Sequence, residues 1–331
     1  MMQLFNKCVR FVAKQDARLL EEMLEIQELQ AHEILGTTVV SLISTGSERG
    51  GYMDYNDNMA YPQVTGYAAI LQAIEIGKDV TSIRKGALFF ADSPHHLYAV
   101  LKEENILPIP EKLTPEQAVF CRFPAVSMSS LIPMKIRPTE PVLVTGLGLI
   151  GLMCGQILQN FGYPVWCIDP VQKRRETAEK CGLLHVVANS KDIPQLIGSF
   201  GAALECSGDE LATYDCADSL RQGGELFLVG VPWRKSTEVD GHSLLLKIFY
   251  GFLHVHSGWE WNLPRKSVEF LPDSNRNSLE KALQWISEGR IITEGIYRKV
   301  SPEDCSSVYQ EIGEDRLQDN DTCVIFDWRD M

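Results

Sequence analysis

The residues best suited to chemistry form a glycine-rich turn with the sequence Gly146-Leu-Gly148-Leu-Ile-Gly151. The turn directly follows the apolar run 141–145 and directly precedes a helical pattern that extends to Asn160. In this setting the first glycine permits a tight turn, the second lets the backbone approach a pyrophosphate, and the third brings helix and strand together. The helix N-terminus then holds the phosphates. The pattern predicts a dinucleotide site, and the flanking strand and helix favour this over a glycine turn without a ligand.

The type of dinucleotide depends on the residues at the end of the next apolar run. Asp169 closes that run, 23 residues after Gly146. A carboxylate in this position binds the ribose 2′-hydroxyl of NAD and repels the additional phosphate of NADP. Lys173, Arg174 and Arg175 follow within one turn and could accept that phosphate, or they could form a solvated helix face. We therefore expect NAD, with NADP as the less favoured alternative.

The elements that must position these residues are visible as alternating patterns. After residue 140, helical patterns separate near-continuous apolar runs, which lie at 141–145, 164–168, 185–189, 203–206 and 225–229. This alternation indicates a parallel sheet covered on both faces. The first 130 residues instead carry short β-branched and aromatic runs between Gly, Pro and Asp signals, as in a compact β domain. The pattern loosens after Val229 until a helix begins near Asn277, and 322–328 reads as a closing strand.

Length and composition limit the class of protein. A chain of 331 residues favours two domains. Acidic residues outnumber basic ones by 44 to 31, a net charge of −13 that would repel nucleic acid. No apolar run approaches the roughly 20 residues that a membrane helix needs. The nine cysteines show no CxxC spacing, which is typical of reduced thiols in a cytoplasmic protein.

The glycine turn, Asp169, the segment 205–208 and the segment 221–230 occur in an order that resembles the medium-chain dehydrogenase/reductase superfamily over nearly the whole chain. The resemblance implies an α/β fold with a GroES-like β-rich catalytic domain, residues 1–128 and 295–331, and a doubly wound Rossmann domain, residues 129–294. It also implies a homodimer, because a strand at the position of His254 and His256 often pairs between subunits in this family. Further cofactor contacts that it implies are Leu149, Ile150, Arg174, Cys206, Val229 and Gly230.

The resemblance fails at the metal ligands. The segments 41–48 and 61–67 look like the loops that carry the catalytic zinc in this family. Thr45 stands at the position of the zinc cysteine and Tyr67 at that of the zinc histidine, and neither Thr nor Tyr is a good zinc ligand. The lobe with the four structural-zinc cysteines is also missing. We expect no metal, as in the zinc-lacking branches that include the bacteriochlorophyllide dehydrogenase type.

Without zinc, a hydrogen-bonding acid must polarise the substrate oxygen. Tyr67 is one candidate, with an ordinary packing role as its alternative. His95 is another, because it follows a Pro in the loop that replaces the metal lobe and titrates in the useful range, although a surface histidine is equally compatible with the sequence. Ser47 matches the hydroxyl that touches the substrate oxygen in the zinc enzymes. Glu48 could orient a sugar hydroxyl or cap a turn.

The histidines at 254 and 256 alternate on one predicted strand face. Because no cysteine or carboxylate has matching spacing, we favour a strand at a subunit interface over a metal site.

The sequence as a whole predicts an NAD-dependent, zinc-independent enzyme. We expect hydride transfer between nicotinamide and a polar secondary alcohol or ketone, such as a sugar, a cyclitol or a biosynthetic intermediate. One alternative is a reductase of an activated carbon–carbon double bond. The other is a nucleotide-binding subunit without catalysis.

Overall fold

The structure is a computed structural model that describes residues 2–257, 260–317 and 322–331. Its strands are β1 (Met2–Ala13), β2 (Asp16–Ile26), β3 (Glu33–Leu42), β4 (Gln63–Val64), β5 (Ala69–Ile76), β6 (Leu88–Ala91), β7 (Tyr98–Lys102), β8 (Ile106–Pro108), β9 (Val142–Thr145), β10 (Val165–Ile168), β11 (His185–Val187), β12 (Phe200–Glu205), β13 (Leu220–Leu228), β14 (His254–Ser257), β15 (Tyr297–Val300) and β16 (Cys323–Asp327). Its α-helices are α1 (Thr45–Met53), α2 (Pro115–Ala118), α3 (Arg122–Leu131), α4 (Leu149–Asn160), α5 (Gln172–Lys180), α6 (Glu210–Ser219), α7 (Gly241–Gly251), α8 (Asn275–Ser287) and α9 (Cys305–Gly313).

The chain divides into two compact units. The first unit combines Met1–Phe120 with Glu294–Met331, and the second is Cys121–Thr293. The boundaries predicted from the sequence lie at 128/129 and 294/295. The first one differs because α3 (Arg122–Leu131) belongs to the second unit. The sequence marks the start of that unit by apolar runs typical of strands, and α3 carries no such run.

The second unit is built on a parallel sheet with the order β11-β10-β9-β12-β13-β14. Counted from β9, this order is 3-2-1-4-5-6, the order of doubly wound dinucleotide-binding sheets. Every residue of β9 and β12 is buried, as near-continuous apolar strands in a covered sheet require. The strand order reverses between these two strands, and ligands bind such sheets at the carboxyl ends beside the reversal. The predicted fold class is confirmed.

The first unit contains a sheet with the path β15-β16-β3-β5-β6-β8, with β7 also paired to β3, and a smaller sheet with the order β2-β1-β4. β3 and β5 are antiparallel, and Ser41 lies opposite Ala69 in their register. This pairing brings the loop after β3 next to the loop before β5. A hydrophobic cluster that includes Phe11, Tyr309 and Trp328 packs in the same unit.

Helix α7 was not predicted from the sequence. α7 lies in the stretch where the apolar pattern loosens, and none of its residues is buried. Leu245, Phe249 and Tyr250 are exposed on it, so apolar residues occur on its outer face as well as its inner one. A helix without a polar face lacks the 3.6-residue alternation by which helices are recognised. Among the helices of the described residues, none is long and apolar enough to cross a membrane.

Candidate active site

The glycine turn follows β9 and leads into α4. Gly146 has a φ of +80°, and a Cβ added to Gly151 would lie 1.9 Å from the Gly146 carbonyl oxygen. Both positions therefore require glycine. A Cβ added to Gly148, the N-cap of α4, would meet no atom within 4 Å. The turn thus presents a bare stretch of backbone at the end of a helix whose first N–H groups have no partner within the helix. This geometry fits the diphosphate of a dinucleotide.

Other predicted cofactor residues lie at the same edge of the sheet. The Cβ of Cys206 is 3.3 Å from a Cβ added to Gly151. The N–H groups of Val229 and Gly230 both donate to the carbonyl oxygen of Glu205, each over 2.8 Å. The loop after β13 is therefore hydrogen-bonded to the end of β12 beside the glycine turn. These contacts bring together three segments that are far apart in the sequence.

The remaining predicted cofactor residues begin α4 or follow β10. Leu149 is buried, whereas Ile150 is only partly buried. The partly buried Ile150 can therefore contact a ligand directly, whereas Leu149 packs against the protein interior and supports the turn.

Asp169 is less open than the sequence suggests. Its side chain is 1% exposed, and its two carboxylate oxygens accept the N–H groups of Leu147 at 2.6 Å and Val171 at 2.8 Å. Arg174 Nη1 lies 3.6 Å from the same carboxylate. Asp169 therefore ties the glycine turn to the loop after β10. Its role in holding NAD stays a prediction.

The first unit brings two predicted catalytic residues together and adds a third. Tyr67 Oη donates to Ser44 Oγ over 2.5 Å and lies 3.4 Å from Ser47 Oγ. We call Ser44, Ser47 and Tyr67 the hydroxyl cluster. Ser44 is buried, Tyr67 is partly buried and Ser47 is exposed, so the cluster extends from the interior to the surface. Sequence reasoning missed Ser44, although it directly precedes Thr45 at the position of the missing zinc cysteine.

A buried carboxylate lies behind the hydroxyl cluster. Glu48 is 5% exposed and accepts hydrogen bonds from Ser44 N at 2.7 Å, from Thr65 Oγ1 at 2.6 Å and from Tyr309 Oη, and His95 Nε2 lies 3.1 Å away. Burial acts to raise the pKa of Glu48, but the charge of His95 and the hydrogen bonds outweigh it and hold the pKa below its ordinary value. Burial and the charge of Glu48 raise the pKa of Tyr309 well above its usual range. Glu48 is therefore ionised at neutral pH while Tyr309 stays protonated.

His95 is fully buried, contrary to the expectation of a histidine at the surface or facing a substrate. Its Nδ1 lies 2.7 Å from Ser41 Oγ, which also accepts the Trp328 Nε1–H at 2.8 Å, and its Nε2 faces Glu48. Gly66, at a φ of +87°, leaves room for the ring, because an added Cβ would lie 2.6 Å from His95 Cδ2. The ring is enclosed on all sides, so any part that His95 plays in proton transfer acts through Glu48 or Ser41.

The contacts of the two histidines of β14 do not indicate a metal site. His256 stacks on Phe227 with the ring centres 4.8 Å apart, whereas His254 is exposed on the edge strand. Within residues 2–257, 260–317 and 322–331, no three His, Cys, Asp or Glu side chains form a group that could hold a metal ion. Zinc independence itself stays a prediction.

Comparison with known proteins agrees with this architecture. Residues 150–250 match the family model described as zinc-binding dehydrogenase. L-threonine 3-dehydrogenase of Rhizobium johnstonii is 31% identical over 160 residues, which cover 46% of this chain and 46% of that protein. The chain therefore matches about half the length of this curated relative.

Solved structures match almost the whole chain. L-idonate 5-dehydrogenase of Escherichia coli has a TM-score of 0.80 at 15% identity and covers 98% of this chain and 99% of its own. A zinc-binding dehydrogenase of Sinorhizobium meliloti bound to NADP has a TM-score of 0.77 at 17% identity, with coverage of 98% and 99%. At these identities the matches show that the chain shares the fold of these two structures.

A further structural match was solved with a different nicotinamide cofactor. An E. coli CFT073 protein named short chain alcohol dehydrogenase, complexed with NADH, has a TM-score of 0.77 at 18% identity and covers 97% of this chain and 99% of its own. The similar structures thus hold NADP in one case and NADH in another.

We predict that Gly151→Ala mainly lowers stability, whereas Gly148→Ala mainly weakens dinucleotide binding. Gly151→Ala should lower the free energy of unfolding by about 1–3 kcal/mol or more, because its Cβ would overlap the Gly146 carbonyl. Gly148→Ala should leave stability nearly unchanged but weaken dinucleotide binding, because its Cβ would project into open space where a phosphate fits. Urea unfolding and calorimetric titration with NAD and NADP measure the two effects. Equal stability in the two variants would contradict the packing argument.

We predict that Glu48→Gln destabilises the protein in a pH-dependent way. Because the pKa of Glu48 in the folded protein lies below its ordinary value of 4.5, the ionised carboxylate stabilises the fold above about pH 4.5. That contribution is lost as the pH falls through the folded-state pKa. The stability difference between wild type and variant, measured by urea unfolding between pH 3 and 8, should therefore shrink towards low pH. A difference that is constant across this range would show that Glu48 is not ionised in the fold.

Proposed function

We propose that this chain is a nicotinamide-dependent oxidoreductase that interconverts a polar secondary alcohol and its ketone without zinc. The observation that carries this proposal is the hydroxyl cluster. Tyr67 and Ser47 lie in the segments 61–67 and 41–48, at which the family resemblance places zinc chemistry, and their hydroxyls lie 3.4 Å apart. Hydroxyl groups at the surface can donate a hydrogen bond to a carbonyl oxygen, which is the task that zinc performs in other members.

The second unit supports the cofactor half of the proposal. The glycine turn offers open backbone at Gly148 beside the point where the strand order reverses. A bound nicotinamide supplies or accepts the hydride. We propose NAD as the cofactor on the basis of Asp169, whose carboxylate would repel the 2′-phosphate of NADP. Arg174, 3.6 Å from that carboxylate, offers the opposite preference.

The first unit supports the proton half of the proposal. In ketone reduction Tyr67 donates its phenolic proton to the substrate oxygen as the hydride reaches the carbon. The tyrosinate then recovers a proton from solvent, and the exposed Ser47 is the hydroxyl of the cluster nearest to water. Glu48 and His95 hold the loops in place from the interior. In alcohol oxidation the same steps run in reverse.

The proposed substrate is a polar alcohol or ketone such as a sugar, a cyclitol or a biosynthetic intermediate. Support comes from the hydroxyl-lined site and from the names of the matched proteins, which are dehydrogenases. Reduction of an activated carbon–carbon double bond is the competing chemistry, and a nucleotide-binding subunit without catalysis is the competing role. Free thiols at all nine cysteines are compatible with the cytoplasmic location that we also propose.

We propose a homodimer that pairs through the edge of the second unit. β14 ends the sheet order, and its Val255 is exposed. The neighbouring apolar side chains of α7 are exposed as well, with Phe249 exposed to 73%. A protein seldom leaves an apolar patch and a sheet edge uncovered together, because both promote association. A second copy of the chain covers both.

The cofactor assignment is tested by a pair of variants. If Asp169 holds the ribose, Asp169→Ala should weaken NAD binding more than NADP binding, and Arg174→Ala should weaken only NADP binding. If Asp169 serves only to fix the glycine turn through Leu147 and Val171, both cofactors should lose affinity equally and the free energy of unfolding should fall. Calorimetric titration with each cofactor and urea unfolding separate these outcomes.

The activity is tested with both chemistries. Oxidised cofactor with polyols, and reduced cofactor with ketones and with enones, should show turnover for the alcohol and ketone substrates only. Tyr67→Phe should then lower kcat by roughly a hundredfold with cofactor affinity unchanged, as for loss of a general acid. A wild-type rate in Tyr67→Phe would remove it from the mechanism. Cofactor binding without turnover of any substrate would favour the non-catalytic role.

The dimer is tested by light scattering after gel filtration. The wild type should have twice the mass of one chain, and Phe249→Glu or Val255→Pro should give the mass of one chain, because they place a charge on the apolar patch or remove an N–H from the sheet edge. Phe5→Glu is the matched control, since Phe5 is as exposed but lies in the first unit. A monomeric wild type would contradict the proposal.

A further inference from the structure

Ser44 is an N-cap serine whose hydroxyl does not cap. A serine in this position ordinarily accepts an N–H from the first turn of the helix, which stabilises the helix. The side chain of Ser44 makes no such bond to α1. Its Oγ instead accepts the phenolic proton of Tyr67 over 2.5 Å. The hydroxyl is therefore directed away from the helix and towards the predicted proton donor.

Glu48 fixes the backbone of Ser44 and so makes this orientation possible. The N–H of Ser44 donates to Glu48 Oε1 over 2.7 Å, and the carbonyl of Ser44 accepts the N–H of Glu48 over 2.8 Å. Glu48 is itself held by Thr65, Tyr309 and His95. With both backbone groups bonded and its side chain buried, Ser44 has a fixed position. A hydroxyl in a fixed position can set the geometry of the group that binds to it.

The partial burial of the cluster determines what this hydroxyl can do. Ser44 is 6% exposed, so it is shielded from bulk water while Tyr67 and Ser47 lie nearer the surface. Hydrogen bonds to a charged oxygen are stronger than those between neutral groups and gain further strength away from water. The serine proton, free to rotate about the Cβ–Oγ bond, can turn towards Tyr67 Oη whenever that oxygen becomes negative.

We propose that Ser44 is the positioning residue that aims Tyr67 and stabilises its phenolate during proton transfer. This inference rests on the proposed function. In the reduction direction the phenolic O–H of Tyr67 first turns from Ser44 Oγ to the substrate oxygen. The O–H bond then breaks, the proton bonds to the substrate oxygen, and the electron pair of the O–H bond stays on Oη. The Ser44 hydroxyl then reverses, so that it donates to Oη where it previously accepted. A proton from water restores the phenol and completes the balance.

The test uses Ser44→Ala, which removes the hydroxyl, and Ser44→Thr, which keeps it. Tyr67 is followed by NMR of protein labelled with ¹³Cζ-tyrosine, and the spectrum of Tyr67→Phe assigns its resonance among the ten tyrosines. This titration needs no substrate, so it measures the effect of Ser44 on the pKa of Tyr67 even if the proposed activity is wrong. Ser301→Ala is the matched control, because Ser301 is an N-cap serine of the first unit whose side chain does cap, through Glu303 N.

We expect Ser44→Ala to move the titration midpoint of Tyr67 upwards by about one pH unit or more, because a bond to the phenolate is lost. kcat should fall by about tenfold or more with KM little changed, and the pH profile of kcat should move with the NMR midpoint. Ser44→Thr should restore both values, and Ser301→Ala should alter neither.

An unchanged Tyr67 midpoint in Ser44→Ala would overturn the inference, as would a shift that Ser44→Thr does not reverse. A shifted midpoint in a protein without turnover of any substrate would support the pairing and refute the proposed function. If Ser44→Ala does not fold, Ser44→Cys replaces it, and its weaker donor should give a smaller shift in the same direction.

Discussion

The site in the first unit depends on the buried charge of Glu48. A carboxylate in a protein interior is strongly unfavourable unless donors surround it. Here the donors come from the loop after β3, the loop before β5, the loop before β7 and helix α9. Because each donor must be present to offset the cost of burial, the charge holds these segments in one arrangement. The hydroxyl cluster is the outer surface of that arrangement.

The second unit depends on a steric constraint where the first depends on charge. The close approach of Gly151 to the Gly146 carbonyl brings α4 against the end of β9. Ser207 approaches Gly146 from the other side of the strand reversal, where an added Cβ would lie 2.8 Å from it. Backbone thus packs directly on backbone, and no side chain fills the space in which a phosphate would bind. Packing therefore requires glycine at these two positions, and the turn exposes backbone N–H groups as a result.

The second unit was largely predictable from the sequence because each pattern that predicts it lies within a few consecutive residues. The runs that became β9, β10 and β12 are continuous and apolar, and the glycine spacing lies within a single turn. The burial of the Asp169 carboxylate could not be predicted from the sequence. It depends on a hydrogen bond from the backbone N–H of Leu147, and a backbone N–H leaves no signal in the residue type. α7 was missed because the side chains on its outer face are apolar too.

The first unit was less predictable because its site is assembled from distant segments. Tyr67 and Ser47 were found through the family resemblance and not through periodicity. His95 is buried by its contacts with Ser41, Glu48 and Gly66. The residues next to it in the sequence, Pro94 and His96, give no sign of these contacts. Tyr309 lies 261 residues beyond Glu48. No local pattern signals a partner at that separation.

The distance between these partners has a consequence for synthesis on the ribosome. The first unit is discontinuous, since Met1–Phe120 is completed by Glu294–Met331, which supplies both Tyr309 and Trp328. Translation at about 5–20 residues per second separates Thr65 from Tyr309 by roughly 10–50 seconds. During that interval Glu48 lacks its last donor, and the whole of the second unit is translated. The second unit is therefore complete on the ribosome before the first unit has all of its residues, and the buried carboxylate of Glu48 gains its full set of donors only near the end of synthesis.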